Sequence, residues 1–319
     1  LSYPLFLQPV MKKRIWGGTR LRDQFLYDIP SDQTGECWGI SAHPHGKSTV
    51  KNGIYGGLDL NVLWENQRHL FGHTKGEVFP LLTKILDADQ DLSIQVHPDD
   101  TYAQKVEAER SGKTECWYII DCEKDAEIVY GHTAQSKEEF QQKYLSKDRD
   151  TLFRRLKIKP GDFFYVPSGT LHALCKGTLV LETQQNSDLT YRVYDYERVD
   201  EHGNIRELHI NKALEVINFP HQDIFIQPIT HVHQSTEIIT YIENQFFTVQ
   251  RWKTEGNTSF IQDKNFQIIS VLNGEGEFFV KGERYPFFKG DHIILPFGLG
   301  EYQTSGNTEW IVSFISKDQ

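Results

Sequence analysis

Gly161-Asp162-Phe163-Phe164-Tyr165-Val166-Pro167-Ser168-Gly169 decides the fold, because it occurs twice. The second copy is Gly290-Asp291-His292-Ile293-Ile294-Leu295-Pro296-Phe297-Gly298, with all four turn residues at an offset of 129. A lysine precedes each copy, Lys159 in one and Lys289 in the other. Gly-Asp makes a tight turn, four residues follow as a strand, and Pro-x-Gly ends it. An internal repeat of this kind predicts two copies of one β-rich domain, joined around residues 220–233.

The rest of the chain agrees with that reading. Runs at 92–96, 116–120, 163–166, 178–183, 246–252, 266–272, 277–280 and 292–295 are rich in β-branched and aromatic residues. Each is bounded by Gly, Pro, Asp or Asn, as strands are. Helical spacing is confined to 99–110, 136–156 and 209–217. The second of these opens with a capping box, Ser136 to Glu139. Helices are inserted rather than alternating with strands, which argues against a parallel βαβ sheet. The expected fold is mainly β: two jelly-roll-like barrels with a few inserted helices. The first is expected over 1–225, with helical insertions at 99–110 and 136–156, and the second over 226–319. Gly274-Glu275-Gly276 is read as a tight turn between two strands; no helix follows, so it is not a dinucleotide loop.

Composition excludes several classes. The 319 residues are 38% apolar and 24% charged, with 20 Phe, 14 Tyr and 6 Trp, which rules out wholesale disorder. A formal charge of −10 is wrong for general nucleic-acid binding, yet a local group of cations can still hold a small anion. No apolar run approaches the roughly 18 residues of a membrane span. Residues 1–9 lack a signal-peptide pattern, and the only Met is Met11, so an initiator Met is expected upstream. None of the four cysteines sits in a C-x-x-C pair; they read as reduced thiols of a cytoplasmic protein.

Five residues past the repeated Pro, the first copy has His172 and the second has Glu301. The asymmetry assigns the chemistry to the first barrel. Gln95 and His97 stand at i and i+2 on a strand and share a face. Pro98 ends that strand, and Glu115 opens another. One amide oxygen, two imidazoles and one carboxylate form a donor set without thiolate, of the kind a catalytic zinc uses. Such a set does not by itself choose zinc over iron or manganese. Two further H-x-H pairs, His43-Pro44-His45 and His231-Val232-His233, are read as a cleft loop and a junction segment rather than as ligands.

The run from Gly161 to His172 resembles the second signature of cupin barrels. The chain more specifically resembles type I phosphomannose isomerases in their shorter bacterial form. The motifs that carry this are Trp16-Gly17-Gly18, Gly35-Glu36-Cys37-Trp38-Gly39-Ile40-Ser41, Leu92-Ser93-Ile94-Gln95-Val96-His97-Pro98-Asp99, Gly112-Lys113-Thr114-Glu115-Cys116-Trp117 and Ser187-Asp188-Leu189-Thr190-Tyr191-Arg192. The resemblance implies one zinc ion per chain held by Gln95, His97, Glu115 and His172. It also implies interconversion of mannose 6-phosphate and fructose 6-phosphate through an enediol, with Arg192 in the active site. The 57 residues from Glu115 to His172 are too few for the large helical domain of eukaryotic-type members. Tyr191 and Val193-Tyr194-Asp195 depart from the pattern around the arginine in long forms.

That chemistry needs an acid and a base beside adjacent carbons and a cationic clamp for phosphate. Arg192 is assigned to the phosphate or the enediolate. Alternation puts Lys113 on the face of Glu115, where it would carry a proton in ring opening. Lys84 is assigned to phosphate, Asp188 to orienting Arg192 or to proton transfer, and Ser93 and Trp16 to the substrate pocket. The expected partner is a small phosphorylated sugar, with no nucleic acid and no membrane, on a monomer or weak homo-oligomer. The alternatives are a metal-dependent cupin oxygenase and a non-catalytic sugar-phosphate-binding protein.

Overall fold

Both copies of the repeated turn are closed by the same bonds in the computed structural model, which describes residues 3–199 and 202–316. Gly161 N donates to Ile119 O and Gly290 N to Val271 O, both at 2.8 Å. Asp162 Oδ2 accepts from Lys159 N, and Asp291 Oδ2 from Phe288 N, both at 2.9 Å. Gly161 and Gly290 have φ of 90° and 91°, a region that only glycine enters without steric cost. The strands that follow are Phe163–Val166 and His292–Pro296.

The first half is a pair of antiparallel sheets. One has six strands in the order Phe163–Val166, Glu115–Cys122, Thr178–Gln185, Leu81–Ala88, Thr34–Ile40 and Val10–Gly18. The other has five, in the order Phe153–Lys157, Glu127–His132, His172–Leu174, Ile94–Val96 and Tyr191–Tyr194. Trp117, Ile119, Ile128, Tyr130 and Val180 fill the space between them. In the second half, three 15-residue strands, Thr248–Gln262, Phe266–Val280 and Gly300–Phe314, curl around Trp252, Phe278, Phe287 and Trp310.

The two halves are knitted together. The N-terminal strand Leu5–Gln8 pairs with His292–Pro296, and Thr49–Val50 pairs with it in turn, so the second sheet takes two strands from the start of the chain. The division expected at 225/226 falls between the helix Ile210–Val216 and the strand Ile229–His233. One apolar cluster includes Leu7, Trp64, Phe79, Tyr118, Phe247, Phe266 and Ile294, residues of both halves. Tyr118 Oη donates to Glu309 Oε1 at 2.6 Å, and the Phe163 ring stacks on Tyr241 at 4.5 Å. Burial of this much shared apolar surface makes the halves one packed body.

Three local expectations are corrected. Gly274-Glu275-Gly276 is not a reversal: Phe266–Val280 is one strand that runs through it. The register shifts between Val271 and Asn273, and Gly274 takes φ 79°. A Cβ there would lie 1.8 Å from Asn307 O, so glycine serves a bulge and a close strand approach. The stretch 136–156 is not one helix. Ser136 Oγ caps Lys137–Leu145 by accepting from Glu139 N, the chain breaks at Lys147 (φ 59°), and Phe153–Lys157 becomes an edge strand. Over 99–110, Asp99 caps Asp100–Tyr102, which runs into a wider turn at Ala103–Glu107. The short helices Arg20–Phe25 and Leu60–Asn66 carry too few turns to show a period in sequence.

Candidate active site

His172 lies opposite Gln95 in register, which brings the end of one strand against the turn at the end of another. His97 Nδ1 donates to Leu189 O at 2.7 Å, and His172 Nδ1 donates to Thr170 O at 2.8 Å. A carbonyl only accepts, so both rings carry their proton on Nδ1 and turn the Nε2 lone pair inward. Each Nε2 faces Glu115, at 3.4 Å from Oε2 for His97 and 3.3 Å from Oε1 for His172. These four buried atoms have no hydrogen-bond partner among the described residues, although Lys113 Nζ stands 2.9 Å from Glu115 Oε2 as an ion pair.

Buried lone pairs without donors are costly unless something positive meets them. His97, Glu115 and His172 offer three donor groups within 4.8 Å of one another, an arrangement that fits a divalent metal ion. Their protonation suits ligation. Burial, then the Lys113 charge, pushes His97 down to about 3, and burial lowers His172 as well. Burial would raise Glu115, but Lys113, His97 and His172 outweigh it and hold the carboxyl well below its usual range.

Beside this cluster is a cavity of about 420 Å³. Trp16, Lys84, Ser93, Gln95, Lys113, Asp188 and Arg192, each singled out in the sequence, all line it. Ser93 Oγ donates to Gln95 Oε1 at 3.3 Å. Residues the sequence reading did not select also line it: Arg14, Glu36, Glu182, Arg206 and His209. Glu36 Oε2 accepts from Trp38 Nε1 at 2.6 Å and Arg14 Nη2 at 3.0 Å. Burial opposes its ionisation, but Lys84 and Arg14 win and hold it at about 2. Glu182 faces Lys84 at 3.4 Å and Lys113 at 3.9 Å, and accepts from Trp117 Nε1 at 3.2 Å. Burial and the charge of Glu115 raise Glu182 in spite of both lysines. A signal for the two glutamates was present: Lys84 lies opposite both Trp38 and Glu182 in register, and Glu36 shares the face of Trp38. Arg206 and His209 had none.

Asp188 is gripped by the first H-x-H pair. Its Oδ2 is 2.5 Å from His45 Nδ1 and its Oδ1 is 3.5 Å from His43 Nε2. These three groups also lie close enough to suit an ion. His43 Nδ1, however, accepts from His45 N at 3.2 Å, so its proton is on Nε2 and points at the carboxylate. The pair is a donor clamp. His231 and His233 lie on the exposed strand Ile229–His233 and join no ligand cluster among the described residues.

A cupin double barrel with a buried His–Glu–His cluster beside a cationic cavity is the class that fold and site define. Comparison with known proteins narrows it. The family model of the type I phosphomannose isomerase catalytic domain matches residues 5–128, and that of the mannose-6-phosphate isomerase cupin domain matches 237–315. Mannose-6-phosphate isomerase ManA of Bacillus subtilis is 56% identical over 315 residues, covering 98% of this chain and 99% of that one. A mannose-6-phosphate isomerase of Streptococcus mutans is 50% identical, covering 98% of each. The crystal structure of the mannose 6-phosphate isomerase from Bacillus subtilis superposes with a TM-score of 0.97 at 54% identity, over 99% of this chain and 100% of that one. The chain belongs to the type I phosphomannose isomerase family. No described helix is long and apolar enough to cross a membrane.

Proposed function

We propose that the protein is a zinc-dependent aldose–ketose isomerase that interconverts mannose 6-phosphate and fructose 6-phosphate through an enediol. The observation that carries this reading is the convergence of four buried, inward-facing atoms of His97, His172 and Glu115 that make no hydrogen bond, beside a cavity lined by Arg14, Lys84, Lys113, Arg192 and Arg206. Relatives that bear the isomerase name at 50–56% identity over nearly the whole chain support it. The four free thiols fit a cytoplasmic setting.

His97, Glu115 and His172, with Gln95 completing the set, would hold one zinc ion per chain. When bound, zinc polarises sugar oxygens and stabilises the oxygen charge that develops in the enediolate. The arginines supply forked donors for the phosphate, with Arg192 foremost. Lys113, held as an ammonium beside Glu115, delivers a proton to the ring oxygen as the ring opens. In the aldose-to-ketose direction a base takes the proton from C2 and returns it to C1, while a hydroxyl proton passes from O2 to O1. Glu182 is assigned that base role, because it lines the cavity and its Oε1 makes no hydrogen bond, with Lys84 beside it at 3.4 Å. Asp188, clamped by His43 and His45, orients sugar hydroxyls.

The test is turnover of mannose 6-phosphate by the purified protein as isolated, after chelation, and after zinc is restored, all in deuterated water. Loss and return of turnover with zinc are expected, with deuterium entering C1 of fructose 6-phosphate to the extent that the base exchanges its proton with solvent before returning it. No turnover in the zinc-restored sample overturns the reading.

A further inference from the structure

The second barrel holds a counterpart of the site just described. Val166 lies opposite Glu115, and its repeat counterpart Leu295 lies opposite Gln267. His172 lies opposite Gln95, and its counterpart Glu301 lies opposite Ile261. Gln267 therefore stands where Glu115 stands, Glu301 where His172 stands, and Asp263, two residues past Ile261, where His97 stands. All of these line one separate cavity of about 840 Å³, twice the volume of the first. Gln267 is 6% exposed, and its Oε1 has no hydrogen-bond partner among the described residues. A buried acceptor facing a cavity calls for a ligand donor.

We propose that this cavity binds a neutral, hydroxyl-rich ligand: a hexose or a short oligosaccharide. Its charge separates it from the first cavity. Asp263 and Glu301 are balanced by Lys264 and Lys281, whereas five cations face three carboxylates around the first. A phosphate gains no net attraction here. Both imidazole positions have become carboxylates, but Lys264 Nζ stands 3.3 Å from Asp263 Oδ1 and Lys281 adds a second ammonium, so a cation gains no net attraction either. Hydroxyl groups both donate and accept, and so can meet a carboxylate, an amide oxygen and an ammonium at once. Trp252, Phe260 and Phe314 supply apolar wall for the carbon face of a sugar ring. The doubled volume admits a disaccharide. None of this depends on isomerase activity.

The test is calorimetric titration of the full chain with mannose and mannobiose, and separately with mannose 6-phosphate. Gln267→Leu removes an acceptor that makes no hydrogen bond, so folding is retained. Glu301→Ala removes an exposed group. Saturable mannobiose binding to the wild type, weakened at least about tenfold in both variants, is expected. Turnover of mannose 6-phosphate by both variants is expected to stay at the wild-type level. Absence of saturable binding by either neutral probe overturns the proposal, as does mannobiose binding that persists undiminished in both variants. Mannose 6-phosphate binding that survives Arg192→Ala but is lost in Gln267→Leu overturns the charge argument and assigns the cavity to phosphosugars.

Discussion

Lys113 Nζ lies 2.9 Å from Glu115 Oε2, and both side chains are almost wholly buried. Burial alone would lower the lysine, but Glu115 and Glu182 raise it above its ordinary value, so the ion pair is charged. Breaking one side of a buried pair leaves a bare charge, at a cost of about 3–5 kcal/mol. Lys113→Met should lower the stability of the metal-free protein by that order in urea unfolding, and added zinc should recover part of it. An unchanged metal-free midpoint would show that Lys113 does not neutralise Glu115.

Metal removal should itself destabilise. A ligand at a hundredfold its dissociation constant adds about 2.7 kcal/mol to folding. Thermal unfolding before and after chelation should show the drop and its reversal by zinc. His172→Ala should bring the metal content, by elemental analysis, from one ion per chain to a small fraction of that. Full occupancy in that variant would remove His172 from the ligand set.

Arg192 lines the cavity near Arg206, and burial followed by the Arg206 charge lowers its pKa, as expected of two cations awaiting an anion. Arg192→Ala should raise KM for mannose 6-phosphate by about ten- to a hundredfold, since a charge-assisted contact is worth roughly 1.5–3 kcal/mol. Zinc content should not change. A fall in kcat at constant KM would instead place Arg192 at the reacting carbons.

Gly39 is one of the places where the two halves touch. A Cβ at this position would lie 2.2 Å from Cε1 of His292, whose ring is held by Ser270 Oγ at 2.8 Å and Tyr27 Oη at 3.0 Å. Neither side can yield cheaply, so Gly39→Ala should cost at least about 1–3 kcal/mol in urea unfolding. A variant as stable as the wild type would mean that the ring moves freely.

Burial, aided by Lys51, pushes His292 down to about 3. The unfolded chain binds a proton near pH 6.5 that the folded chain refuses. Stability from this group is therefore complete above about pH 6.5 and is lost as pH falls toward 3, by up to about 1.4 kcal/mol per pH unit. His292→Gln should flatten the decline in unfolding free energy over that range by about one proton's worth. An unchanged slope would show that His292 does not contribute.

What the sequence determined by itself was local. The repeated turn needs only a glycine at positive φ and an aspartate reaching back three residues, so both copies are legible as letters. Gln95 with His97, and Lys113 with Glu115, could be placed on shared faces because alternation relates residues two apart along a strand. The glycines at 274 and 276 misled, since a bulge and a reversal use the same residue and only the partner strand tells them apart. Tertiary structure alone decided the passage of Leu5–Gln8 into the far sheet and the meeting of Glu36, Glu182 and Arg206 around one cavity. It alone set Gln267 in the place of Glu115, because strand register joins residues far apart in sequence through backbone bonds that no local pattern encodes.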